Sequence, residues 1–121
     1  MLKLNYDKSV IEDAIDRIVK KTMNMDLTWD WPCGVAYYGI CRAYRATGKK
    51  EYLDMLKDRV DEYMELGLPK NWTVNTCAMG HCLITLYEET GEEKYWDVAM
   101  SKVNYIRKEA LRFGDNVLQH T

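Results

Sequence analysis

Cys77 and His81 stand four residues apart, a spacing that puts a thiol and an imidazole on one helical face and is compatible with two metal ligands. No second pair completes a tetrahedral set, and a buried cysteine ordinarily serves packing, so neither a metal nor another cofactor is expected. Cys33, Cys41, Cys77 and Cys82 are irregularly spaced, and the last two are too close to staple separate parts of the chain. Beside seven methionines, they read as reduced thiols of a cytoplasmic protein. Trp29 and Trp31 precede a helix start and are aromatics suited to half-wet positions, although they can equally close the hydrophobic end of a hairpin. Thr73 or Asn75 is placed to cap a later helix. His120 stands next to the last residue of the sequence.

Helices must position these groups. Val10, Ile11, Ala14, Ile15, Ile18 and Val19 recur at helical spacing between Asp7 and about Met25, with charged residues opposite. Leu53, Leu56, Val60, Tyr63 and Met64 do so from Glu51 to Leu66, and Trp96, Ala99, Val103, Ile106 and Ala110 from Glu93 to Leu111. Two further segments, Trp31 to Cys41 and Asn71 to Tyr87, contain no Lys, Arg, Asp or Glu. A helix apolar all round is expected to be buried all round. Pro32 suits a first helical turn, and Gly34 and Gly39 would let another backbone approach closely. The order is outer, inner, outer, inner, outer: an all-α chain of about five helices, with no alternation long enough for a strand.

Composition narrows the function classes. The 121 residues are 47% hydrophobic and 30% charged with only two prolines, which excludes disorder and fits one domain, 1–121. A formal charge of −2 with interleaved signs leaves no footprint for nucleic acid. No apolar run is long enough to span a membrane.

An internal repeat organises the helices. Tyr44-Arg45-Ala46-Thr47-Gly48-Lys49-Lys50-Glu51-Tyr52 returns 43 residues later as Tyr87-Glu88-Glu89-Thr90-Gly91-Glu92-Glu93-Lys94-Tyr95, and the same shift pairs Asp54 with Asp97 and Val60 with Val103. Each copy is an inner helix, a Thr-Gly turn and an outer helix, the glycine supplying the left-handed residue that stops the first. A period of this length indicates stacked helical hairpins, as in solenoids or closed toroids.

The segment Trp29-Asp30-Trp31-Pro32-Cys33-Gly34-Val35-Ala36-Tyr37-Tyr38-Gly39, the two Thr-Gly turns and Thr73-Val74-Asn75-Thr76-Cys77-Ala78-Met79-Gly80 followed by Leu86-Tyr87 resemble glycoside hydrolase families 88 and 105. These are the unsaturated glucuronyl and rhamnogalacturonyl hydrolases. The resemblance covers nearly the whole chain but only about the first third of a family member, and it implies part of a six-hairpin (α/α) toroid. It implies hydration of the C4=C5 double bond of a terminal unsaturated uronic acid, with an aspartate as general acid and base, in place of attack at the anomeric carbon. The family's principal aspartate falls past Thr121, and a second falls at Asn75, whose amide can hydrogen-bond a hydroxyl but cannot exchange a proton. No catalytic residue is therefore assigned in this chain, and Trp29, Trp31, Asn75 and His120 are the expected substrate contacts. The resulting expectation is the N-terminal part of a hydrolase for pectin-like, rhamnogalacturonan-derived oligosaccharides, inactive alone. It should self-associate or require a missing C-terminal part. The alternative is a helical-hairpin module for protein interaction.

Overall fold

The computed structural model describes residues 7–70 and 73–119. Five α-helices follow one another: α1 (Lys8–Met23), α2 (Trp31–Thr47), α3 (Lys50–Leu66), α4 (Gly80–Thr90) and α5 (Glu93–Lys108). A 3-10 segment, Asn75–Met79, leads into α4. Helices α2 and α4 form the inner layer and pack side by side, while α1, α3 and α5 lie behind them. The shared core is built from Val19, Trp29, Tyr37, Ile40, Tyr52, Leu56, Val60, Met79, Leu83, Leu86 and Tyr95, among others.

The repeat is a repeat of geometry. Gly48 and Gly91 take φ of 70° and 71°, and their amides donate to the carbonyls of Tyr44 and Tyr87 at 2.7 and 2.8 Å. Thr47 and Thr90 donate their hydroxyls four residues back, to Ala43 and Leu86, at 2.8 and 2.7 Å. Each hydroxyl then accepts the first amide beyond the glycine, from Lys49 and Glu92. Four residues past each turn, a buried tyrosine reaches the preceding outer helix: Tyr52 donates to Asp16 at 3.1 Å and Tyr95 to Asp61 at 2.8 Å. Lysines surround both carboxylates, Lys20 at Asp16 and Lys57 and Lys94 at Asp61. Burial works to raise the Asp61 carboxyl, but hydrogen bonds from Lys94, Lys57 and Tyr95 overcome it and hold the group below the ordinary aspartate range.

Several expectations need correction. The inner helices are not buried all round: Trp31, Val35 and Tyr38 on α2 and Ile84 on α4 are exposed. An absence of charge therefore marks a layer position here, not complete burial. Neither Thr73 nor Asn75 caps α4 with its side chain. Instead the Thr76 hydroxyl donates to the Thr73 carbonyl at 2.9 Å and accepts the Thr73 amide at 3.1 Å, closing a local loop ahead of the helix. Helix α5 stops at Lys108, short of Leu111, and a small antiparallel hairpin follows, pairing Arg112–Phe113 with Val117–Leu118. Gly114 and Asn116 make its turn at positive φ, and Arg112 holds it to α5 by donating to the Ile106 carbonyl at 2.6 Å. Strands of two residues are too short to carry an alternation that a sequence could show.

The two glycines of α2 also differ. A Cβ on Gly34 would lie 2.4 Å from the Ala78 Cβ and 2.6 Å from its carbonyl carbon, whereas Gly39 has nothing within 4 Å. Gly34→Ala is expected to destabilise the chain by about 1–3 kcal/mol through forced separation of α2 from the 3-10 segment. Gly39→Ala, exposed in mid-helix, should stabilise it by up to about 1 kcal/mol. Urea unfolding of the two variants measures this, and equal effects would contradict the packing described.

Candidate functional site

Because successive helices run antiparallel, the Thr-Gly turns gather at one end and everything else gathers at the other. That second end holds the α1–α2 connection, the start of α2, the 3-10 segment ahead of α4, and the hairpin after α5. Of the expected sugar contacts, Trp29, Trp31 and Asn75 fall there. Asp30 caps α2, accepting the Trp31 amide at 2.8 Å, and Pro32 occupies the first turn.

Helix α3 anchors the α1–α2 connection. Arg59 donates to the Met23 carbonyl at 3.1 Å and Tyr63 donates to the Leu27 carbonyl. Trp29 then lies edge-on to Tyr63, ring centroids 5.8 Å apart at 88°, and its indole N–H donates to the Thr76 carbonyl at 3.2 Å. At 6% exposure Trp29 packs within the core. Two residues on, Trp31 is 53% exposed. Asn75 opens the 3-10 segment and is half-buried. The Trp29–Thr76 bond, between residues far apart in sequence, ties the start of α2 to the segment that carries Asn75. His120 lies outside the described residues.

Cys77 and His81 are used separately. The Cys77 thiol donates to the Thr73 carbonyl at 3.3 Å, while the His81 ring packs on Tyr38 with centroids 5.0 Å apart. Burial raises the thiols of Cys33 and Cys77 above their ordinary value, the direction opposite to that of a nucleophilic cysteine.

Three features were missed at the sequence level. Thr76 builds the loop and receives the Trp29 bond, yet its sequence signal is only that of one hydroxyl residue among several. A cavity of about 120 Å³ opens between α4 and α5 behind Trp29, lined by Cys77, Ile84, Lys102 and Val103, among others. Burial there pushes the Lys102 ammonium down to about 8. Thirdly, the Tyr37 hydroxyl, fully buried, has no hydrogen-bond partner among the described residues.

Comparison with known proteins gives one consistent picture. The family model described as Glycosyl Hydrolase Family 88 matches residues 6–121. The chain is 45% identical over 121 residues to the unsaturated rhamnogalacturonyl hydrolase YesR of Bacillus subtilis (strain 168), covering all of this chain and 35% of that protein. The crystal structure of a possible member of the GH105 family from Klebsiella pneumoniae subsp. pneumoniae MGH 78578 superposes with a TM-score of 0.87 at 23% identity, over 99% of this chain and 37% of that one. The chain thus spans little more than a third of the length of either.

The two tryptophans should separate cleanly in stability. Trp29→Phe removes the donor to Thr76 and is expected to cost about 1–3 kcal/mol. Trp31→Ala should stay within about 0.5 kcal/mol of the parent, as for other exposed positions. Chemical denaturation decides it, and a comparable loss at both positions would show that Trp31 too is structural.

Proposed function

The chain belongs to glycosyl hydrolase family 88, and on that premise we propose that it forms the N-terminal wall of a sugar site for oligosaccharides ending in an unsaturated uronic acid, of the rhamnogalacturonan type named for its relative. The carrying observation is the Trp29–Thr76 bond, which fixes the starts of both inner helices at one end with Trp31 open beside them. Trp31 offers an apolar ring face to the C–H surface of a pyranose. Asn75 offers a carboxamide, a donor and acceptor for a sugar hydroxyl that cannot take part in proton transfer. His120 is assigned by family resemblance as a further contact. The acid and base for double-bond hydration come, in this reading, from carboxyls outside these hairpins, and the setting is a reducing cytoplasm that keeps the four thiols free.

The test is titration of the purified chain with an unsaturated galacturonyl-rhamnose disaccharide, following the double-bond absorbance as well as binding. Binding without turnover is expected, abolished by Trp31→Ala. Asn75→Asp should alter affinity with little change in thermal midpoint, because a half-wet carboxylate keeps its hydration. A large loss of stability in Asn75→Asp, with no ligand effect in either form, would remove this end from the sugar site. Turnover on the order of 1 per second or faster would place a complete acid/base pair within the chain.

A second reading is favoured by a contrast between the two repeats. Cys41 and Val60 are 2% and 0% exposed, whereas their equivalents Ile84 and Val103 are both 44% exposed. The edge of α4 and α5 is thus built like an edge that carries another hairpin. We propose that in the isolated chain a second copy occupies it and that the chain self-associates. Light scattering should find a dimer or larger species, dissociated by Ile84→Lys with Val103→Lys. A monomer that persists at all concentrations would refute this.

A further inference from the structure

Tyr38 on α2 and His81 on α4 are 43 residues apart, the period of the repeat, and so hold equivalent positions on the two inner helices. Their rings meet across the helix pair, with centroids 5.0 Å apart and planes inclined by 51°. Arg45 and Glu88, also equivalent by the repeat, meet as an ion pair at 2.6 Å. Equivalent residues therefore face one another in layers. Because seven residues are nearly two full turns, Trp31, Tyr38 and Arg45 lie on one face of α2, with layers roughly 10 Å apart along the axis.

The layers differ in what occupies them. At the far end Arg45–Glu88 and the Tyr44 hydroxyl on Glu89, at 2.8 Å, join the two helices with charge-assisted bonds beside the Thr-Gly turns. At the near end Trp31 is open. Between them Tyr38 and His81 are both exposed, and neither makes a hydrogen bond within the described residues. Core packing does not use them either: α2 buries Cys33, Tyr37, Ile40 and Cys41, which lie on another side of the helix. Arg42, one turn below Tyr38, is exposed and in no ion pair among the described residues.

We propose that Tyr38 and His81 form the floor of the sugar site and receive the end ring of an acidic oligosaccharide. The inference rests on the reading that the Trp31 end holds sugar. The Tyr38 ring contributes an apolar face and a phenol, and His81 contributes imidazole nitrogens that donate to or accept from ring hydroxyls. Arg42 places a cation beneath them for the carboxylate of a uronate. The two rings support each other, so each fixes the other's orientation towards the ligand. Both act as binding residues that set which sugar end fits, and neither is assigned proton transfer.

The experiment uses the 121-residue chain and the unsaturated galacturonyl-rhamnose disaccharide as probe. The imidazole protons of His81, one of two histidines in the chain, are assigned in the NMR spectrum by their loss in His81→Gln. These signals are expected to shift on saturation. Tyr38→Ala and His81→Gln should each weaken binding about tenfold, and Tyr38→Phe, which keeps the ring, by only about two- to threefold. Circular dichroism verifies that the variants are folded, and the shift in the parent chain stands whether or not they are. If the disaccharide binds, Trp31→Ala abolishes binding, and the His81 signals and the affinities of the Tyr38 and His81 variants stay unchanged, the floor assignment is wrong and the sugar site remains. If the parent chain binds no disaccharide at all, the sugar-site reading falls and takes the floor with it.

Discussion

The backbone of the 3-10 segment lies on α2 so closely at Gly34 that a single added carbon would fall within 2.4 Å of Ala78. Much of that end of the molecule follows from this approach. With the segment on α2, the Thr76 carbonyl comes within reach of the Trp29 indole, and the indole can be buried because its one donor is satisfied. A buried Trp29 against Tyr63 in turn fixes the α1–α2 connection, which is held further by Arg59 on the Met23 carbonyl. Asp30 and Trp31 then follow from a fixed point, and Trp31 emerges into the open.

At the opposite end, stability is organised by repetition. Each Thr-Gly turn satisfies helix-end carbonyls and the next amide with one hydroxyl and one left-handed residue, and each is followed by a tyrosine that ties its outer helix to the one before. The tyrosines bury a large ring while their hydroxyls reach lysine-flanked carboxylates. Polar groups near the core are thereby partnered, with the Tyr37 hydroxyl as the exception among the described residues. Neighbouring hairpins therefore make the same contacts at the same places, and the exposed edge of the second hairpin is apolar where that of the first is covered.

This division of labour suits a fold of stacked helical hairpins. The turn end is tightly bonded, and the other end carries the connections that lead into the inner helices. Membership of glycosyl hydrolase family 88 fits such a scaffold. An amide at position 75, with no acid/base partner assigned within these two hairpins, confines the proposed contribution of this chain to binding and orientation.

Helix number, the inner and outer alternation, both Thr-Gly turns and the family were legible in the sequence because they depend on local periodicity, on left-handed glycines and on a repeat that the chain spells out twice. The tertiary structure decided what near-identical local signals could not distinguish. Trp29 and Trp31 are two residues apart, yet one meets Thr76 and Tyr63 while the other is 53% exposed, because burial depends on a segment nearly fifty residues away. Gly34 and Gly39 are both helical glycines, and only the path of the 3-10 segment makes one of them indispensable. Tyr38 and His81 read as core and as a possible ligand until the two inner helices were set side by side, and it is that register, a property of no single helix, which brings their rings together on the open face.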